Sequence, residues 1–406
     1  MIGAEGLDAL IAELRRRGYR TLGPVVRDGA IVLGRLRRVG DLPVGWHDEQ
    51  GPGTYRCRFE GDRALFAWAV GPQSPKPAFL PAQEVLFRAR PSAEGLEVEP
   101  SPERSAPIAL VGIRPCELAG LAVLDRVLAE GPTPDRRYLS RRSDAFVAVV
   151  ECATPSDSCF CTSTGTGPAA AESVDLVLCE LLPDRPVSTR VGGEGGEGGE
   201  GDSRGVAVED DGGDPLGELE GHRLVARAAS ALGRSLLDTV PHRPARPEDR
   251  AARHAALAAS SARIRRRLDT QGLPALLDRN LDHPRWADAA ARCLSCGNCT
   301  MVCPTCFCTD VHDLNDLRGG VERRRRWSSC FELDHSYLHG GPVRASVTSR
   351  YRQWATHKLA TWHDQFGSSG CVGCGRCITW CPVGIDLTEE VGAIRASDRA
   401  GRERTR

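Results

Sequence analysis

Two stretches of the chain carry the same arrangement of cysteines, and that arrangement restricts the fold more than any other feature. Cys293, Cys296, Cys299 and Cys303, followed by Pro304, spell C-x2-C-x2-C-x3-C-P, and Cys371, Cys374, Cys377 and Cys381, followed by Pro382, spell it again. Three thiolates two residues apart wrap three irons of a cubane, and the fourth, directed away by the proline, reaches the other cluster. The spacing therefore predicts one [4Fe-4S] cluster on Cys293, Cys296, Cys299 and Cys381, and a second on Cys371, Cys374, Cys377 and Cys303. Paired zinc sites are the competing explanation. Zinc motifs, however, use two C-x2-C knuckles, not two copies of a three-plus-one pattern ending in proline. Gly297, Gly373 and Gly375 are expected to turn the backbone tightly and to offer amide N–H groups to the sulfurs.

The chain has 17 cysteines in 406 residues, which also raises the possibility of a disulfide scaffold. Such scaffolds are small and secreted, whereas here eleven of the cysteines lie between Cys293 and Cys381, mostly two or three residues apart. A formal net charge of −1 argues against nucleic acid as an obligatory partner. Lysine occurs only at Lys76 and Lys358, a bias that reads as coding preference rather than as an anion-binding design. No apolar run has membrane-spanning length, and Met1 to Arg20 lacks the apolar core of a secretory signal. The expectation is a soluble, cytoplasmic protein with no membrane partner.

The first quarter predicts a short helix, with Leu7, Leu10, Ile11 and Leu14 at helical spacing and Gly18 ending it. A hairpin follows around Arg27-Asp28-Gly29, and "RALFAWAVG" (63–71) reads as a further strand. Ile108 to Leu128 predicts strand, turn and helix, while "DAFVAVVEC" and "VDLVLCELL" predict two buried strands. The fold class expected is α+β and multidomain: a mixed α/β domain over residues 1–245, then a helical linker and an α-helical, two-cluster ferredoxin-like domain over 246–406. Residues 304–370, which separate the two motifs, are too many for a compact ferredoxin and are read as helical. "GGEGGEGGEGDSRG" (192–205) has no apolar residue and is read as a flexible surface insertion.

Nine cysteines lie outside the motifs, and the tetrapeptide Cys-Phe-Cys-Thr occurs twice, at 159–162 and 306–309. In extended backbone residues i and i+2 face the same side, so each C-x-C presents two thiolates to one place. Three readings stay open. Cys116, Cys152, Cys159 and Cys161 hold a further cluster or metal, with Cys116 and Cys152 both beyond the ends of apolar strands; or Cys306, Cys308 and Cys330 do; or these are small buried residues near a redox centre. Cys57 and Cys179 read as core residues. Thr162 to Pro168 lacks the lysine of a phosphate loop and reads as a turn supporting the adjacent C-x-C. His335, His339, His357 and His363 are candidate ligands or proton carriers, or plain surface residues. Arg344, Arg350, Arg352 and Lys358 neutralise the clusters or form a solvated face.

"RCLSCGNCTMVCPTCFCTDVHD", "RRWSSC" and "RYRQWATHKLATWHDQFGSSGCVGCGRCITWCPVGIDLTEE" together resemble the β subunit of cytosolic NAD(P)-linked [NiFe] hydrogenases, or sulfhydrogenases. The electron-transfer chain of anaerobic sulfite reductase belongs to a related family. The likeness extends to "FLPAQEVLF", "GIRPCELAGLAVLD" and "CATPSDSCFCTSTGTGP" in the N-terminal half. It implies a non-catalytic electron-transfer subunit with two [4Fe-4S] clusters. Its partners would be the hydrogenase small and large subunits together with a flavin- and NAD(P)-binding subunit. The same relay serves a sulfite reductase as the first alternative, and an iron–sulfur sensor or structural protein is the second. No nucleophile, flavin fingerprint or nickel-binding cysteine pair suggests catalysis by this chain itself.

Overall fold

A computed structural model describes residues 1–103, 106–170, 174–181, 219 and 221–404; the Gly/Glu-rich stretch 192–205 lies outside them. The helix Ala4–Arg16 buries Leu7, Leu10, Ile11 and Leu14 along one stripe. Strands β1 (Arg20–Arg27) and β2 (Ala30–Arg35) form the expected hairpin. Asp28 and Gly29 close it with φ of 50° and 70°, the left-handed backbone that a two-residue loop between twisted strands needs. Two more hairpins follow, β3 (Trp46–Gly51) with β4 (Thr54–Phe59) and β5 (Gln83–Ser92) with β6 (Gly95–Pro100).

Strands β7 (Ile108–Ile113), β8 (Phe146–Val150), β9 (Leu176–Glu180) and β10 (Leu224–Ala228) complete a six-stranded sheet of order β10-β9-β8-β7-β1-β2. Its four inner strands run parallel and its edges antiparallel. Parallel strands covered on both faces need apolar side chains in both directions, which is why these segments read as unbroken apolar runs. Ala109, Val111, Phe146 and Ala148 pack on the N-terminal helix, while Ile108, Leu110, Val147 and Val149 pack with Leu118, Leu121 and Leu124 of the helix Pro115–Leu128.

Two expectations are corrected. Residues 64–71 are buried but belong to no strand. Their backbone is satisfied by buried side chains instead: the Glu180 carboxylate accepts from the N–H groups of Leu65 (2.7 Å) and Phe66 (2.9 Å). Arg114 donates to the carbonyls of Phe66 and Trp68. The unbroken apolar run reported burial, not ladder pairing. The second correction concerns residues 304–370, which are not helical throughout. They begin with a hairpin, β11 (Thr309–Asn315) and β12 (Val321–Trp327), that pairs with β5 in a four-stranded sheet of order β11-β12-β5-β6. The four arginines 323–326 hid this strand, because its pairing is ionic: Arg325 meets Glu84 and Asp135, Arg323 meets Asp313, and Arg88 meets Glu322.

The helices Pro247–Arg263, Leu273–Asp278 and Arg285–Arg292 lead to the first motif, as expected. The helix Val347–Thr356 continues through a wide π turn, His357–Thr361, into Trp362–Phe366. With the helix Leu387–Arg404, these elements enclose a second core around Trp286, Tyr351, Trp354, Leu359 and Ile378, against which Cys293, Cys299, Cys371, Cys377 and Cys381 pack.

Candidate iron–sulfur centre

Cys293, Cys296, Cys299 and Cys381 line one cavity of about 420 Å³, backed by Phe331, Tyr351, Trp354 and Ile385. Cys293 ends the helix Arg285–Arg292, and Cys299 sits in the helical turn Asn298–Met301 that Gly297 opens at a φ of 75°. Cys381 arrives from the other motif. The Ser295 N–H donates to Cys293 Sγ at 3.4 Å and the Ile385 N–H to Cys381 Sγ at 3.3 Å. Cys377, of the second motif, lines the same cavity and forms a wall common to both groups.

Cys371, Cys374 and Cys377 neighbour Cys303: burial, and beside it the charge of Cys303, raises the thiol pKa of all three. Burial pushes Cys371 up to about 12, opposed by the Gly373 N–H and by Lys358. Cys303 goes the other way: hydrogen bonding from the Cys306 thiol, and then the Lys358 ammonium, hold it well below the usual thiol range. Lys358 Nζ lies 3.2 Å from Cys303 Sγ and 3.0 Å from Thr305 Oγ1. Burial alone would lower the Lys358 pKa, but the thiolates around it keep it charged. Lys76 Nζ donates to the Cys306 carbonyl at 3.1 Å and stacks over Trp327. Lys76 and Lys358 are only 2% and 6% exposed, so neither belongs to a solvated face.

These donors suit a cluster. Buried thiolates that repel one another need positive charge among them, and iron supplies it. Among the described residues, the His/Cys/Asp/Glu group whose ligand atoms converge within 4.8 Å is His47, Glu60 and Asp62, with no cysteine in it. A single tetrahedral zinc ion would draw its sulfurs to about 3.8 Å apart. The cysteine groups are more open than that, as a four-iron cubane requires.

Cys116 and Cys152 lie beyond the C-terminal ends of the parallel strands β7 and β8. Cys116, Cys159 and Cys161 pack with Cys374 among Val123, Ile264, Trp362 and Val372, and Cys152 adjoins Cys159 and Cys161. The Phe160 N–H donates to the Gly373 carbonyl at 2.8 Å. A Cβ on Gly373 would come within 2.7 Å of the Cys161 backbone, and one on Gly375 within 2.4 Å of the Ser158 carbonyl. These glycines therefore admit the N-terminal Cys-Phe-Cys loop as well as turning the motif, a role their spacing did not disclose. Thr162–Pro168 begins inside the helical turn Cys161–Thr164, which Gly165 ends, and Thr166 ties it to the Val372 carbonyl.

Cys306, Cys308 and Cys330 line a second cavity, with His335, His357, Arg344 and Lys358. Arg350 is buried and donates to the carbonyls of Arg344 and Ala345. Arg352 bonds the Leu281 carbonyl at the surface, and His339 and His363 are exposed. Cys179 is buried; Cys57, on β4, is half-buried. Sequence reasoning offered Lys358 as a neutralising charge but missed Lys76 as a site residue. The rarity of lysine in a chain of 53 basic residues was the available signal.

Residues 292–385 match the 4Fe-4S dicluster domain, which places the chain among iron–sulfur proteins. More particularly, it is 29% identical over 322 residues to sulfhydrogenase 2 subunit beta of Pyrococcus furiosus, covering 79% of this chain and 82% of that protein. The resemblance carried by the cysteine motifs thus extends well beyond them. No solved structure matches the chain significantly. No described helix is long and apolar enough to cross a membrane.

Proposed function

We propose that this chain is the iron–sulfur electron-transfer subunit of a cytoplasmic [NiFe] hydrogenase complex. It would relay electrons between the hydrogenase small and large subunits and a flavin- and NAD(P)-binding subunit. The observation that carries the reading is the gathering of Cys381 with Cys293, Cys296 and Cys299 around one cavity, and of Cys303 with the second motif. The two ligand sets are accordingly crossed, and Cys377, in the wall between them, keeps the centres adjacent. A bound [4Fe-4S] cluster supplies reversible one-electron chemistry. The chain's own residues ligate through the eight motif cysteines, exclude water with Phe331, Tyr351 and Trp354, and offset thiolate charge through Lys358 and the backbone N–H groups. The likeness to a sulfhydrogenase subunit supports the hydrogenase assignment over a sulfite reductase.

Anaerobic purification with iron and sulfide analysis and a redox titration followed by EPR tests the relay. The expected result is at least about eight irons per chain with reversible, mutually coupled signals. Zinc in place of iron, or clusters that do not reduce reversibly, would refute it. Cys303→Ala is expected to damage the cluster held by Cys371, Cys374 and Cys377, although Cys303 belongs to the first motif. Selective loss of the other signal would disprove the crossing.

A further inference from the structure

The cavity of about 630 Å³ beside the Cys303 loop is larger than the one ringed by Cys293, Cys296, Cys299 and Cys381. We infer that it is a third iron–sulfur site, ligated by Cys306, Cys308 and Cys330, which rests on the two-cluster reading above and extends it. The hairpin β11–β12 explains how the ligands meet. Thr309 pairs with Trp327 at its base, and the Ser328 N–H donates to the Cys308 carbonyl at 3.0 Å. The chain ends leaving the two strands are thereby clamped together, and Cys308 and Cys330 come with them. Cys306 joins from the loop that Lys76 and Lys358 hold from either side.

The charge of the walls suits a thiolate-ligated centre. Lys358 and Arg344 face the cavity and, among the described residues, no carboxylate lines it. The net negative charge that three thiolates leave on a bound cluster is stabilised by these two cations. The sulfurs also fall outside the group converging within 4.8 Å, which argues against a single ion. Three thiolates leave one iron without a cysteine, and two imidazoles stand in the same wall. His357 occupies the first position of the π turn, a local distortion frequently found at functional sites, and among the described residues its ring nitrogens have no hydrogen-bond partner. His335 Nδ1 lies 3.2 Å from Ser328 Oγ, whose hydroxyl donates to Glu332; the proton then sits on Nδ1 and Nε2 keeps its lone pair. Cys306 adjoins Cys303, so this site is next in line to the second cluster and continues the relay.

The test is the iron and sulfide content of the anaerobically reconstituted full chain, together with EPR, for the wild type, Cys308→Ser, Cys330→Ser and the control Cys57→Ser. About twelve irons are expected in the wild type and control, and about eight in either cavity variant. One signal should be lost while the two motif signals persist, which also reports that the variants are folded. About eight irons in the wild type would overturn the third site and leave the relay standing. About twelve irons retained in both variants would place a third cluster elsewhere and also overturn it. Absence of iron throughout would remove the two-cluster reading itself.

Discussion

Two lysines among 53 basic residues, both buried against the loop carrying Cys303, Cys306 and Cys308, are the residue-scale surprise of this protein. An ammonium is a compact point charge that fits where the planar guanidinium fork does not, so arginine is not its substitute here. Lys358 reaches Cys303 Sγ and Thr305 Oγ1 together, placing its charge on the thiol proposed to ligate the second cluster. Adding an electron there makes a negative site more negative, and the ammonium eases that step. Lys358→Met is therefore expected to lower the reduction potential of the second cluster by roughly 60 mV or more, a tenfold change in the equilibrium. The first cluster should move far less. A redox titration showing equal shifts in both clusters, or none, would remove this role.

At the scale of elements, the glycines of the second motif show how much a short spacing hides. Gly375 has a φ of 77° and its missing Cβ is where the Ser158 carbonyl sits; Gly272 has a φ of 57° with open space around it. Alanine at either position carries backbone strain, but only at Gly375 does it also push back the Cys-Phe-Cys loop. Gly375→Ala is expected to cost about 1–3 kcal/mol more than Gly272→Ala in denaturant unfolding of the holo protein. Equal costs would mean that the loop yields freely. The hairpin β11–β12 teaches the complementary lesson: a strand of arginines has no apolar alternation to report, and its partners on β5 and at Asp135 lie far away in sequence. The segment 63–71 has an apolar run but no partner strand, because Glu180 and Arg114 take its backbone groups.

Over the whole molecule, the cysteine-bearing part is built into the N-terminal part rather than appended to it. The sheet β11-β12-β5-β6 takes strands from both, across the expected division at residue 245. Arg376, between Cys374 and Cys377, is buried and pairs with Glu117, and it donates to the Gly71 carbonyl at 2.7 Å. Glu117 in turn accepts from the Arg114 N–H at 2.8 Å, at the start of the helix Pro115–Leu128. Glu117→Ala would leave a guanidinium uncompensated beside the second motif, and a loss of about 3–5 kcal/mol is expected. Thermal or chemical denaturation of the holo protein measures it, and early release of iron should accompany the loss. Stability within about 0.5 kcal/mol of wild type would show that water or other carbonyls replace the carboxylate.

The sequence by itself displayed two cysteine motifs that mark an iron–sulfur protein, because ligand spacing is a local property that cubane geometry makes specific. It also disclosed the inner strands of the sheet, as unbroken apolar runs, and the N-terminal helix, whose burial is written as periodicity. Only the tertiary structure decided that the two Cys-Phe-Cys loops go to different places, one into packed core on Gly373 and Gly375 and the other onto a cavity. It alone decided, too, that both lysines and the pair Arg376–Glu117 are buried against the cysteine-bearing loops. These depend on contacts between residues distant in the chain, formed through charge and close approach, and neither leaves a period for a single sequence to display.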